Sequence, residues 1–450
     1  MDFDGLARDE SVEWIGRAPH EPLESGTRPL LPSDDPFYQP PDGFQHAVPG
    51  TVLRSRDVEL AFLGLIPQRL HALQLLYRSA DRTGAARAAV TTVLMPARQR
   101  QSRPCPIVSY QCAIDAVDGH CFPSYALRRR ARGHGSFAQL EFVLIAALLA
   151  QGWAVSIPDH EGREGHWGAP YEPGYYVLDG IRAALSCSQP GLSADSRVGL
   201  WGYSGGGLST AWAAEVCSDY APELDIAGIV LGSPVGDLGH TLMRLDGSFW
   251  SGLPALMIAA LARVYPELDD VIEEHATTAG RALLRSLEST ATGAALLRLH
   301  HRSLNSYIDQ PLEQLIETSV VQHIFDDTRL GTATPSAPVL MVQAVHDQVI
   351  SVEDIDALAA TYVSGGAHIT YHRDVLSEHI TLHPLSVPMV LDWLGDRFAD
   401  LPLPQPMISS AWPALLNPKT YLGLARLGAV VARLITGGAE GRQRPPQPLG

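Results

Sequence analysis

Lysine is almost absent from this chain: Lys419 is the only one among 33 basic side chains, and Asn305 and Asn417 are the only asparagines. That bias fits a GC-rich genome and carries no mechanism. Positive charge is scarce as well, since 49 acidic groups set a formal net charge of −16 at pH 7. Binding a phosphate backbone needs a cationic face that displaces counterions. The one basic cluster, Arg128-Arg129-Arg130 with Arg132, is too short to supply it, so no nucleic-acid partner is expected. Long apolar runs are missing too. The cleanest one, residues 142–150, is about half of what a bilayer crossing requires. Residues 1–10 are acidic and lack the basic start and apolar stretch of a signal peptide. This reading places the protein in the cytoplasm, or outside the cell if a leader has been removed. Cysteine is sparse and odd in number: Cys105, Cys112, Cys121, Cys187 and Cys217 leave at least one thiol unpaired in a monomer and match no zinc spacing. No metal and no cofactor is expected.

What is present is globular, with 46% apolar and 18% charged residues over 450 positions. Residues 1–50 are rich in proline and glycine without a sustained period and read as an extended surface arm. Strand-like stretches follow at 72–78, 88–95 and 107–111, then helical periodicity from Ser136 to a stop at Gly152. From there strands and helices alternate: 153–157, 176–185, 198–201, 208–216 and 226–231. Such alternation predicts an α/β fold, a mostly parallel, doubly wound sheet with helices on both faces. It breaks off over residues 235–334, a helical insertion in which Leu312, Leu315, Ile316, Val320, Ile324 and Phe325 share one face. It resumes with strand 339–345, helix 352–363, strand 368–372 and helix 384–398. The core therefore spans 51–234 and 335–400, and 401–450 is a tail with an apolar helix at 421–435. That helix, with Arg426 and Arg433, is too short and too charged to span a membrane. It packs on the body or touches lipid peripherally.

The strongest chemical signal is Gly202-Tyr203-Ser204-Gly205-Gly206, a G-x-S-x-G placed where a strand hands over to a helix. The sharp turn needs small neighbours and exposes the serine oxygen at a helix amino terminus. The same stretch is a near miss to a phosphate-binding loop, but Leu208 stands where the lysine would be. A serine nucleophile needs a histidine base oriented by a carboxylate. In doubly wound hydrolases these follow in the order Ser, Asp, His. Asp347 lies just past strand 339–345, and a strand–helix–strand passage later comes His379. His383 is the reserve base. His346, His368 and His372 read as structural, and Asp326, Asp327 and Glu353 are fallback acids. Gly205, the residue after the nucleophile, supplies one oxyanion N–H. The second donor belongs to the loop leaving strand 107–111, where pattern alone chooses no residue. His160, Glu161 and His166 lie in a Gly-broken loop, with the histidines six apart rather than the four a zinc helix needs.

Together these features resemble the secretory lipases of the Candida antarctica lipase A type. The resemblance extends over Pro36-Phe37-Tyr38, Leu75-Leu76-Tyr77-Arg78, Tyr110-Gln111 through Asp115, Pro158-Asp159-His160-Glu161-Gly162, Trp212-Ala213-Ala214-Glu215 and Tyr220-Ala221-Pro222-Glu223-Leu224. It covers roughly residues 36–400 and implies an α/β-hydrolase fold with a large helical lid, acting on acylglycerols and other esters. It also implies a triad of Ser204, Asp347 and His379 and an oxyanion hole of Gly205 and Asp115. The expected activity is ester hydrolysis through an acyl-enzyme; the alternative is acyl transfer to an alcohol by the same residues. An inactive hydrolase-fold binding protein would carry a damaged triad, and all three positions are intact.

Overall fold

Three runs, Val198–Tyr203, Ile226–Gly232 and Val339–Ala344, are apolar with almost no alternation, the composition of strands covered on both faces. In the computed structural model, which describes residues 19–23, 26–97, 104–187, 189–411 and 415–438, they form the middle of an 11-stranded sheet. We number its strands β1 (His20–Glu21), β2 (Val52–Asp57), β3 (Ala72–Ala80), β4 (Ala86–Leu94), β5 (Ile107–Gln111), β6 (Ala154–Pro158), β7 (Val198–Tyr203), β8 (Ile226–Gly232), β9 (Val339–Ala344), β10 (Ile369–Asp374) and β11 (Met407–Ala411). The spatial order is β1-β2-β3-β4-β6-β5-β7-β8-β9-β10-β11. From β6 to β11 every pairing is parallel, whereas β2, β3, β4 and β6 meet antiparallel. The doubly wound α/β architecture read from the sequence is the one the chain adopts.

Helices Glu172–Ser186, Gly205–Tyr220 and Val352–Ser364 bury their apolar faces on one side of the sheet. Helices Ala138–Ala150, His379–Phe398 and Pro418–Ile435 cover the other. Between β8 and β9 the chain leaves the sheet for seven α-helices, from Leu238–Leu245 to Ser319–Asp327. They pack on the first face.

Four features depart from the sequence reading. The apolar stripe from Leu312 to Phe325 is split over two helices, Leu312–Ile316 and Ser319–Asp327, because Glu317 and Thr318 cap one end and start the next. The arm is not merely laid on the surface: Phe37 and Tyr38 are buried against Leu53, Leu76 and Val90, with the Arg56 guanidinium 4.0 Å above the Phe37 ring. The tail beyond Leu401 adds β11 to the sheet edge, a strand whose Ser409-Ser410 centre hides the apolar alternation. Finally, the last core helix starts at His379 rather than at Pro384, since Glu378 and Thr381 form a reciprocal capping box that fixes the earlier start. The acidic start, within residues 1–18, and the Pro-rich end, residues 439–450, lie outside the described residues. All five cysteines are free thiols.

One buried carboxylate ties the two halves of the core together. Glu215, 2% exposed, accepts the N–H groups of Gly331 (2.7 Å), Thr332 (3.0 Å) and Ala333 (3.0 Å) and the hydroxyls of Thr332 (2.8 Å) and Tyr362 (2.7 Å). It thereby holds the end of the insertion against helix Gly205–Tyr220. Glu215→Ala leaves those donors without their acceptor. It should cost about 3 kcal/mol or more in a urea unfolding titration, with Glu215→Gln losing less.

Candidate active site

Strand β7 ends at Tyr203 and the helix Gly205–Tyr220 begins two residues later, so Ser204 must reverse the chain alone. It does so with φ +56° and ψ −120°, a strained left-handed conformation for a serine. The turn closes only because its neighbours lack side chains. A Cβ at Gly202 would overlap the Gly206 carbonyl, and one at Gly206 would overlap that of Gln111. The result lifts the Ser204 hydroxyl to the carboxyl end of the sheet, at the positive end of a helix.

His379 stands beside it. Its Nε2 lies 3.0 Å from the Ser204 Oγ, and its Nδ1 lies 2.7 Å from Asp347 Oδ2. A carboxylate on Nδ1 places the ring proton there and leaves Nε2 as the acceptor facing the hydroxyl. Asp347 is fixed on its other side by the N–H groups of Val349 and Ile350, each donating to Oδ1 at 2.8 Å, while Gln343 Nε2 donates to the same Oδ2 at 3.1 Å. The Tyr203 hydroxyl donates to the His379 carbonyl at 2.7 Å, and Arg244 of the insertion donates to the Asp347 carbonyl at 2.8 Å. Asp347 and His379 are 3% and 4% exposed, so the pair is shielded from water.

Asp115 reaches the same place from the loop after β5, with φ +46°. Its Oδ1 crowds Gly205 so closely that any Cβ there would collide with it. That oxygen is buried without a hydrogen-bond partner, as is the Trp167 indole N–H nearby. Burial pushes the Asp115 carboxyl up to about 7, against the opposing pull that positive charge on His379 exerts. Its backbone N–H is already committed, donating to Glu161 Oε1 at 3.0 Å. Thr292, at the start of an insertion helix, donates to the carbonyls of Ile114 (2.9 Å) and Asp115 (3.1 Å). A cavity of about 460 Å³ opens over Ser204, His379 and Asp115, walled mainly by apolar side chains such as Leu144, Trp250 and Leu427.

The structure thus brings Ser204, Asp347, His379, Gly205 and Asp115 together and leaves the other candidates elsewhere. His383 is partly buried one helical turn on, in the wall of the same cavity but stacked on Tyr203 at 4.2 Å rather than bonded to Ser204, and desolvation pushes its imidazole down to about 3. His346 is exposed, and His372 bonds Ser409 at 3.0 Å. His368 sits partly buried next to β10. Asp326 pairs with Arg329, Asp327 accepts the Tyr265 hydroxyl, and Glu353 accepts that of Ser351. His160 is held by Ser209 (2.7 Å) and the Cys112 carbonyl (2.8 Å), and His166 by Glu172 (2.8 Å). Among the described residues no group of three or more His, Cys, Asp or Glu side chains could hold a metal ion. Sequence reasoning missed the supporting contacts of Glu161, Thr292, Arg244 and Gln343. Only Glu161 carried any signal, as part of the P-D-H-E-G stretch.

A parallel sheet with a sharp strand–serine–helix turn and a helical insertion before its last strands is the architecture of the α/β-hydrolases. The crystal structure of Candida antarctica lipase A superposes with a TM-score of 0.79 at 24% identity, over 89% of this chain and 95% of that one. The chain belongs to the secretory lipase family, whose model matches residues 127–405. A secreted triacylglycerol lipase of Malassezia furfur is 32% identical over 385 residues, 83% of this chain and 81% of its own length. A Mycobacterium tuberculosis protein named "probable inactive lipase" is 60% identical over 432 residues, 96% of this chain and 97% of its own. A lipid or other ester is therefore the substrate class of the family. The cytoplasmic expectation is overturned, because both the family and relatives such as the Malassezia lipase are secreted proteins. That expectation follows only from residues 1–10, which are acidic and lack the basic start and apolar stretch of a signal peptide.

Proposed function

We propose that this chain is a serine-dependent carboxylic ester hydrolase working through an acyl-enzyme. The observation that carries the proposal is the single imidazole of His379 hydrogen-bonded at once to Ser204 and to the buried Asp347. His379 Nε2 takes the Ser204 proton as Oγ attacks the ester carbonyl, and Asp347 steadies the imidazolium that forms. The oxyanion is met by the Gly205 N–H, unpaired in the first turn of its helix, and by the protonated carboxyl of Asp115. His379 returns its proton to the departing alcohol, and water then releases the acid by the same route.

Apolar space for an acyl chain lies beside the site. A second, narrow cavity of about 20 Å³ also borders Ser204 and is edged by Leu242 and Met257. The same two residues border an apolar chamber of about 110 Å³ inside the insertion. The insertion therefore roofs the site and sets apolar space next to it, which supports an acyl chain as the group bound there.

The test is hydrolysis of p-nitrophenyl esters from short to long acyl chains, beside labelling by a fluorophosphonate. Labelled Ser204 with turnover that extends to long chains is the expected result. Labelling without hydrolysis, relieved by an added alcohol, assigns acyl transfer instead. No labelling and no turnover would overturn the proposal and align the chain with what the name of the Mycobacterium relative says of that protein.

A further inference from the structure

Charge is distributed unevenly along this chain. Between Leu401 and Ala439 there is no Asp or Glu, while Lys419, Arg426 and Arg433 all fall there, in a protein with a formal charge of −16. The three cations recur every seven residues, so they run as one stripe along the helix Pro418–Ile435. Family matching stops at residue 405, before this helix begins.

The inner face of the helix is anchored. Thr420, Val430 and Leu434 are buried, and Gly423 crosses Pro388 so closely that a Cβ would overlap the proline ring. The Leu434 carbonyl accepts Gln68 Nε2 at 2.9 Å, and the Gly437 carbonyl accepts the Arg69 N–H at 3.2 Å. Leu427 and Val431 wall the cavity that contains Ser204 and His379.

The outer face is apolar where solvent should favour polar groups. Tyr421, Leu422 and Ile435 are 57%, 57% and 58% exposed, and the positions between them on that face are Ala425, Gly428, Ala429 and Ala432. Two further exposed side chains, Leu140 at 61% and Ile380 at 51%, also line the Ser204 cavity and so extend the apolar surface to its mouth. An exposed apolar face edged by cations and free of acids is the make-up of a helix that lies in a lipid–water interface. The rest of this acidic protein is repelled by an anionic surface, so attraction through one face also fixes orientation.

We propose that helix Pro418–Ile435 is a lipid-docking element for anionic lipid surfaces. Tyr421 and Leu422 enter the acyl boundary, and Lys419, Arg426 and Arg433 meet the headgroups. The inner face meanwhile walls the reaction cavity, so docking presents the cavity mouth to the lipid. The purpose of docking rests on the hydrolase reading, whereas docking itself does not need Ser204.

The test is flotation of the full chain carrying Ser204→Ala, which spares the lipid, with vesicles of phosphatidylcholine alone or mixed with phosphatidylglycerol. Binding should favour the mixed vesicles and fall with added salt. It should weaken about fivefold for each of Lys419→Gln, Arg426→Gln and Arg433→Gln, and be lost in Leu422→Glu. All four positions are exposed, so thermal melting should match the parent, and any one folded variant is enough for the comparison. Absence of flotation, flotation indifferent to these changes, or a dimer that Leu422→Glu dissociates would overturn the proposal. Because the parent already lacks the Ser204 hydroxyl, this outcome is independent of whether Ser204 is the nucleophile.

Discussion

Ser204→Ala should lower kcat on a p-nitrophenyl ester by about six orders of magnitude, leaving only the contributions of binding and of the oxyanion donors. The change removes one oxygen from a position that is not fully buried, so the folded state should survive it and melt near the parent temperature. His379→Ala should cost about as much, and the double variant no more than either single one. A base 3.0 Å from a nucleophile has no work once the nucleophile is gone. Asp347→Ala should cost less, about four orders, because the imidazole remains present without its orientation. Fluorophosphonate labelling provides a second reading that does not depend on finding a good substrate. Activity that persists in Ser204→Ala, or serial losses that add across the three residues, would show that these side chains do not act as one unit. The comparison bears directly on the Mycobacterium relative, whose name says inactive, because in this chain the three positions are filled and joined.

The reach of the sequence can be judged from particular residues. Ser204, Asp347 and His379 were legible because each sits next to an element with its own signal: a G-x-S-x-G turn, the end of an apolar strand, and the passage into the last core helix. The central strands were legible for a similar reason, since β7, β8 and β9 are buried on both faces and therefore continuous in hydrophobicity. Asp115 was reachable only through resemblance. It stands in an aperiodic loop at a left-handed φ, and nothing local marks which of its neighbours faces the serine. The residues that brace the site were silent. Thr292 and Arg244 come from the insertion and meet the core over 177 and 103 positions of chain, a relation no window of sequence contains. Edge strand β11 escaped because it pairs with only one neighbour and its burial leaves no strong pattern. The start of helix His379–Phe398 was misplaced because Pro384 looks like a first-turn proline, whereas the capping box at Glu378 and Thr381 governs.

The chemistry asked of Asp115 gives the second large effect and a sign that can be worked out in advance. A carboxylate cannot stabilise an oxyanion, but a carboxylic acid can donate to one. The backbone N–H of Asp115 is spent on Glu161, so the side chain is the only donor this residue has left. Burial raises its carboxyl to about 7, which keeps it protonated below that pH and ionised above it. Activity should therefore fall as pH rises through about 7, the direction opposite to that of a base being freed. Asp115→Ala removes the donor altogether and should cost about 10²–10³ in kcat with little change in KM, because the contact is made only as the oxyanion forms. Asp115→Asn keeps an N–H donor that does not titrate. It should retain much more activity than the alanine variant and lose the alkaline decline near pH 7, while any limb set by other groups stays common to all three proteins. An asparagine variant as inactive as alanine, or one with the decline unchanged, would remove Asp115 from the oxyanion hole. Gly205 and the unpaired Trp167 indole N–H would then be the remaining donors within reach of Ser204.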